Sequence, residues 1–172
     1  MSAIIQFTRM PRLSAIARSC AVAYEIVRDA ELRAHPWAFA IARIVIAPVD
    51  AAPVFGYGYA YALPSDCLRA LHDPDGPEWR IEGKSLLSDE GPALQLRYIR
   101  RVETPTDFDA LFVEALACRL AVELAEEITQ SNTKKADAAQ QYRAALAEAR
   151  RANAIERAYQ IPATDDWLLA RY

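Results

Sequence analysis

The first side chains to consider for catalysis or metal binding are the two histidines, His35 and His72. His35 stands beside a proline and a tryptophan, a setting that favours a core or interface role over catalysis. His72 lies in a polar loop with Asp73 and Asp75, where a solvated turn is favoured over a divalent-cation site. The sequence contains no HExxH, P-loop, GxGxxG or GxSxG pattern. We therefore expect neither a metal nor a cofactor.

The cysteines and paired acids offer a second set of candidates. The three cysteines are Cys20, Cys67 and Cys118, and no two are close in sequence. Their spacing matches no metal-binding pattern and predicts reduced, structural thiols. Asp66 precedes Cys67, but a nucleophile needs a base within reach and no histidine accompanies the pair, so a helix-capping role is favoured. The adjacent acids at 126–127 point to different helix faces. These patterns predict that the protein is not an enzyme.

An aromatic stripe is formed by Tyr57, Tyr59 and Tyr61, which alternate with small residues. Such a stripe can stack on nucleic-acid bases, yet no Lys or Arg is interleaved with it. Cations supply most of the affinity for phosphates, and the formal net charge is −3 over 172 residues. We predict that these tyrosines contact protein, and that the chain does not bind DNA sequence-specifically. No apolar run is long enough to cross a membrane.

Helical periodicity must position most of these side chains. The predicted helices span residues 14–34, 36–46, 107–131 and 134–158. Pro36 separates the first two because its ring cannot continue a helix, and Asp107 is the predicted N-cap of the third. The last two helices are expected to pair as a long antiparallel hairpin with an alanine-rich seam. The other faces of the final helix carry Arg143, Arg150 and Arg151, which we predict to be interface residues.

Strands are predicted between the helical segments. The candidates lie at residues 55–61, 79–82, 85–88 and 93–99. Gly83 marks a hairpin turn between the second and third, and the last three are expected to form one small antiparallel meander. Residues 65–71 are predicted as a short helical turn capped by Ser65 or Asp66. The predicted fold class is α+β, mainly α: a helical bundle with a long hairpin, a β meander and an extended C-terminal tail.

The chain length fits one domain. We divide it into an N-terminal arm (1–12), a helical body (13–47 and 107–158), a β-containing insertion (54–100) and a C-terminal tail (159–172). The tail ends in Trp167, Leu168, Leu169, Ala170, Arg171 and Tyr172. An apolar, aromatic segment needs a surface to cover, and it can dock on another chain or fold back on its own subunit. Docking on another chain is favoured.

Three segments resemble, in order, the tail tubular protein A family, the head-to-tail adaptors of T7-like short-tailed bacteriophages (podoviruses). The first is residues 28–40, RDAELRAHPWAFA, with the Arg-Asp pair and the His-Pro-Trp-x-Phe-Ala run of that family. The second is residues 59–69, YAYALPSDCLR, and the third joins residues 97–99, RYI, to 112–121, FVEALACRLA. The resemblance covers about residues 25–158. Residues 1–12 do not match the longer opening segment of the family.

The resemblance implies a structural virion protein made in the host cytoplasm and located at the head-tail junction. In that family the subunits form a homo-oligomeric ring, expected to be a dodecamer, between the portal and the tail nozzle. DNA passes through the lumen, and tail fibres are a further expected partner. The tail residues from Trp167 to Tyr172 would then meet the portal, and the stripe tyrosines with the three helical arginines would meet a neighbouring subunit or the nozzle.

One alternative comes from a different class of protein. The opening stretch carries six arginines against three acids: Arg9, Arg12, Arg18, Arg28, Arg33 and Arg43 against Glu25, Asp29 and Glu31. A cytosolic helical nucleic-acid-binding or regulatory protein could use such a stretch as its contact surface. A steep salt dependence in a gel-shift assay would distinguish this alternative, because phosphate contacts release counterions.

Overall fold

The computed structural model describes residues 11–51, 53–73 and 76–156, with side chains from residue 16 onward. Within that part of the chain there are three α-helices and six strands. In order they are α1 (Pro11–Ala34), β1 (Ile41–Ile46), β2 (Tyr59–Ala62), β3 (Cys67–Leu71), β4 (Trp79–Glu82), β5 (Ser85–Ser88), β6 (Leu94–Arg100), α2 (Ala110–Thr129) and α3 (Asn132–Glu156). The predicted α+β class is confirmed. Residues 1–10 of the N-terminal arm and the whole C-terminal tail lie outside the described residues, while Pro11 and Arg12, which we assigned to the arm, belong to α1.

The helix ends follow local chemistry. α1 ends at Ala34, as predicted, because the residue before Pro36 is pushed out of the helical region. α2 is capped by Asp109, whose carboxylate accepts hydrogen bonds from the backbone N–H groups of Leu111 and Phe112 at 2.9 and 3.1 Å. The predicted cap was wrong, since Asp107 lies in a short 3-10 turn before the helix. α2 closes at Gln130 in the left-handed region, with φ of 49°.

The predicted helix over 36–46 was wrong. A 3-10 turn at Ala38–Ala40 leads into β1, which pairs with β6 along its whole length. The run Ile41–Ile46 is rich in β-branched residues, whose side chains pack well on a pleated surface. The predicted helical turn at 65–71 was also wrong, because Cys67–Leu71 forms β3 on the other side of β6. The part of the chain that builds sheets therefore starts at Ile41, inside the predicted helical body.

The strands form two three-stranded antiparallel sheets. Sheet 1 has the order β1-β6-β3, and sheet 2 has the order β2-β5-β4. The hairpin of β4 and β5 has the predicted bounds, and Gly83 adopts a positive φ of 61° in its two-residue turn. The single meander was wrong, because β6 leaves this hairpin and becomes the central strand of sheet 1.

Alternation along β6 explains its central place. Leu94, Leu96 and Tyr98 are buried in a core between the two sheets, together with Ile46, Tyr61 and Leu86. Ile99 points to the opposite face and is buried in a second core with side chains of the helices. That helical core contains Leu32, Trp37, Phe112, Leu116 and Ala149. Sheet 1 thus contributes to both cores through the same strand.

α3 contacts α2, and the alanine-rich face predicted for α3 is removed from solvent. Its members are buried or half-buried: Ala138, Ala139, Tyr142, Ala145, Leu146, Ala149 and Ala152. Close to the connecting turn, Lys135 pairs with Glu126 at 2.7 Å. Farther along, the guanidinium of Arg119 lies over the ring of Tyr142, 5.7 Å from its centroid. α1 packs on α2 and touches β3.

Candidate functional site

A polar junction joins all three helices around Glu31. The Tyr142 hydroxyl donates to the Glu31 carboxylate at 2.6 Å, and the Nε of Arg119 lies 3.5 Å from the same oxygen. Burial and the Glu31 carboxylate raise the pKa of Tyr142 to about 12, so its hydroxyl remains a donor at neutral pH. A buried carboxylate that is paired and hydrogen-bonded holds elements in one register. Glu31 is therefore an architectural residue.

His35 belongs to a second polar junction, which is built on Asn153 of α3. The Asn153 side-chain oxygen accepts from the backbone N–H of Ala38 at 2.7 Å. Its amide nitrogen lies 3.0 Å from the Nε2 of His35 and 3.4 Å from the carbonyl of Pro36. Trp37 is buried and donates its indole N–H to the carbonyl of Glu31 at 3.0 Å. The residues from His35 to Ala38 thus anchor the turn between α1 and β1 on α3.

The Arg-Asp pair ahead of that turn fixes the other side of α1. Asp29 accepts from Arg28 at 2.9 Å and from Arg101, which follows β6, at 2.8 Å. Arg28 is buried and lies 5.7 Å from the ring centroid of Tyr24. Two guanidinium groups on one carboxylate bridge α1 to the end of sheet 1. This segment, like the previous two, positions elements rather than a reacting molecule.

The stripe tyrosines are not equivalent. Tyr61 is fully buried in the core between the sheets, and its hydroxyl donates to the carbonyl of Glu90. It therefore does not lie on the surface where we expected it. Tyr59 is 39% exposed and packs its ring against Gly91, while Tyr57 is half-buried in the loop before β2. Only Tyr57 and Tyr59 retain surface that a partner could contact.

The predicted arginine contacts lie on the surface of α3. Arg143, Arg150 and Arg151 are all exposed, away from the face that packs on α2. None of them makes an ion pair with a described residue. The predicted portal contacts, Trp167, Leu168, Leu169, Arg171 and Tyr172, lie outside the described residues. The three arginines thus share one helix, and no described contact joins any of them to the stripe tyrosines.

Sequence reasoning missed the exposed apolar side chains. On α1, Val22 and Ile26 are 72% and 71% exposed, one helical turn apart; we call them the α1 patch. In the loop between β1 and β2, Val54 and Phe55 are 97% and 86% exposed; we call them the loop patch. Apolar side chains grouped on a surface mark interaction sites more often than single ones do. In the sequence, each of these side chains stands directly beside another apolar residue, and this adjacency was the available signal.

The residues considered as a possible nucleophile or as metal ligands make contacts that support the fold. Burial and the neighbouring Asp66 carboxylate raise the pKa of the Cys67 thiol, which disfavours the thiolate. Asp66 instead accepts a hydrogen bond from the Tyr98 hydroxyl at 3.2 Å. Within the described ranges, no three His, Cys, Asp or Glu side chains form a group that could hold a metal ion. The three helices described are each too short or too polar to span a bilayer.

Comparisons with known proteins add no assignment. Neither the models of protein families nor the curated proteins contain a match to this chain.

Proposed function

We propose that this chain is a structural subunit of a head-to-tail adaptor ring, which joins the portal to the tail nozzle of a short-tailed bacteriophage. The observation that carries the proposal is the pair of exposed apolar patches on separate elements, the α1 patch and the loop patch. Covering one Val, Ile or Phe side chain stabilises an association by about 1.5–3 kcal/mol before the costs of association. Two such patches indicate contacts with other protein chains.

A ring places special demands on a subunit surface. Each subunit buries one face against a different face of its neighbour, so the two contact areas are not copies of each other. The α1 patch lies on a helix and the loop patch in an irregular segment, which fits two unlike faces. Repetition of this contact around an axis closes the ring, and the family resemblance leads us to propose twelve subunits.

The helices supply a suitable ring body. We propose that α2 and α3 act as a close-packed antiparallel hairpin, whose alanine-rich face lets the helices approach closely. The Glu31 and Asn153 junctions fix α1 and the turn after it to this hairpin. Such hydrogen bonds between elements keep the α1 patch in a constant position relative to α2 and α3, and ring closure requires a contact face of fixed position.

The remaining roles in this proposal come from the resemblance. The tail from Trp167 to Tyr172 binds the portal, and residues 79–99 with their loops face the nozzle. Arg143, Arg150 and Arg151, with Tyr57 and Tyr59, contact a neighbouring subunit or the nozzle, and tail fibres are a further partner. DNA passes through the lumen without sequence-specific binding. A formal net charge of −3 suits such a channel, because a strongly basic wall would hold the DNA.

The test compares the full chain with two variants in one assembly experiment. Negative-stain imaging and light scattering measure ring formation alone and with the cognate portal. Phe55→Ser should remain folded, because its side chain is 86% exposed, yet should reduce ring formation. Removal of residues 163–172 should leave a folded protein that does not bind the portal.

Ile155→Ser is the matched control, since Ile155 is 76% exposed on α3 and belongs to neither patch. It should assemble like the wild type. A monomer in every condition, undiminished portal binding by the truncated chain, or steep salt-dependent binding to DNA would each contradict the proposed function.

A further inference from the structure

Two arginines face each other on sheet 1. The register of β1 and β6 places Arg43 directly opposite Arg97. Side chains that are directly opposite on antiparallel strands share one face of the sheet, with Cβ atoms about 5 Å apart, and like charges there destabilise the pair. No carboxylate among the described residues forms an ion pair with either guanidinium. Within the described part of the chain, no ion pair therefore offsets the repulsion between these two like charges.

The hydrogen bonds of these arginines are also incomplete. The Nε of Arg97 is buried and has no hydrogen-bond partner. One of its two terminal nitrogens donates to the carbonyl of His72 at 3.5 Å, a long hydrogen bond and the single one that the Arg97 side chain makes to a described residue. Arg43 is exposed and makes no recorded hydrogen bond to a described residue. Each guanidinium therefore has N–H groups that an acceptor could bind, and a carboxylate matches their fork geometry.

A cleft of about 270 Å³ opens beside the arginines, and both line it. Its apolar walls include Val45, Leu71 and Trp79. Asp73 is the single acidic residue that lines it in the described part of the chain, so the two arginines leave the lining with a net positive charge. A site with two adjacent cations and apolar walls suits an acidic group that is flanked by apolar atoms.

The same cleft borders a free sheet edge. β1 is the outer strand of sheet 1, and no described strand pairs with its outward side along Ile41–Ile46. Ile44 and Val45 on this strand are 40% and 62% exposed. An unpaired edge of this kind can accept an added strand, in which backbone hydrogen bonds give affinity and side-chain contacts give specificity.

We propose that this cleft binds an extended, acidic segment of a partner protein, which adds to the edge of β1 and places a carboxylate between Arg43 and Arg97. Apolar neighbours of that carboxylate contact Val45 and Trp79. Nucleic acid fits less well, because a row of phosphates needs several cations and the cleft offers two beside apolar walls. The inference goes beyond the adaptor ring and does not depend on it.

The experiment uses the full chain and a short, blocked, fluorescent peptide in which aspartate alternates with valine. Fluorescence anisotropy measures its binding to the wild type, Arg43→Gln, Arg97→Gln and Arg80→Gln. Arg80 is the matched control, because its side chain is exposed on β4, an outer strand of sheet 2, and is not among the residues that line the cleft. A second peptide with asparagine in place of aspartate keeps the shape and removes the charge.

The wild type and Arg80→Gln should bind the aspartate peptide with affinities within about twofold. Arg43→Gln should weaken binding about tenfold or more, since it loses charge-assisted hydrogen bonds. Circular dichroism checks that each variant is folded. If Arg97→Gln does not fold, the comparison of Arg43→Gln with Arg80→Gln decides the test. Equal binding of the two peptides, equal binding by Arg43→Gln and Arg80→Gln, or tighter Arg43-dependent binding of a single-stranded oligonucleotide would overturn the proposal. A chain that forms the ring without binding the peptide would refute this inference alone.

Discussion

Replacement of Tyr142 by phenylalanine removes one hydroxyl group and leaves the aromatic ring in place. That hydroxyl donates to Glu31 at 2.6 Å, and the Glu31 side chain is only 10% exposed. Charge-assisted hydrogen bonds are short and contribute about 1.5–3 kcal/mol. The phenylalanine ring still lies beneath the Arg119 guanidinium, so the cation–π contact remains. We expect Tyr142→Phe to lower the free energy of unfolding by about 2 kcal/mol.

Urea denaturation at neutral pH measures this loss. The midpoint should fall while the slope of the free energy against urea concentration stays constant, because the exposed surface on unfolding is nearly unchanged. Tyr24→Phe is the matched control: Tyr24 is half-buried on α1, and its hydroxyl makes no recorded hydrogen bond to a described residue. A change of less than about 0.5 kcal/mol in Tyr142→Phe, or one equal to that of Tyr24→Phe, would refute the assigned role of the junction.

The pH dependence of the stability difference between the wild type and Tyr142→Phe is an independent test of the same hydrogen bond. The pKa of Tyr142 rises from 10.0 to about 12 in the folded chain, chiefly through burial and then through Glu31. A group whose folded pKa is raised stabilises the fold fully below its unfolded pKa, and this contribution disappears as the pH rises from 10 to about 12. The stability advantage of the wild type over Tyr142→Phe should therefore narrow across that window. An advantage that grows with pH there would contradict the assignment.

Two further predictions concern single contacts of the fold. Gly83→Ala should lower the free energy of unfolding by about 1–2 kcal/mol, because φ is 61° there and a residue with a Cβ is strained in the left-handed region. An added Cβ would meet no other atom within 4 Å, so this loss would come from the backbone conformation alone. Gly58→Ala, where φ is not positive, is the control in thermal unfolding. Asn153→Ala should cost about 1 kcal/mol or more by leaving the Ala38 N–H without its acceptor, whereas the exposed Gln141→Ala on the same helix should be nearly neutral in urea denaturation.

Features set by neighbouring residues were predictable. Pro36 ends α1 at Ala34, and Gly83 sets the hairpin of β4 and β5, whose bounds match the prediction. The buried face of α3 also follows from its periodicity, with Ala149 at its centre. In each case the deciding interaction lies within a few residues of the chain. Sequence patterns contain such interactions directly.

Features that depend on contacts between distant parts of the chain could not be predicted from the sequence. Trp37 and Ala40 recur at helical spacing, yet the residues that follow them pair with β6, 48 to 58 positions away. β-Branched side chains in β1 favour the strand once that partner is present, and periodicity alone does not reveal the partner. Tyr61 shows the same limit, because its alternation predicted a strand but the burial of its ring depends on how the two sheets pack. The Glu31–Tyr142 contact joins residues 111 positions apart.

The polar atoms of the described fold provide a reason to look at Arg97 for function. Glu31, Ser88 and Asn153 are buried, and each has hydrogen-bond partners within the chain. The Nε of Arg97 is the single buried side-chain polar atom without one in the described ranges, and it lies opposite another arginine. Stability alone would favour a neutral residue at either position, since both the like charge and the missing acceptor cost free energy. Proteins retain such local conflicts mainly where a ligand resolves them, so this exception and the cleft beside it support the same site.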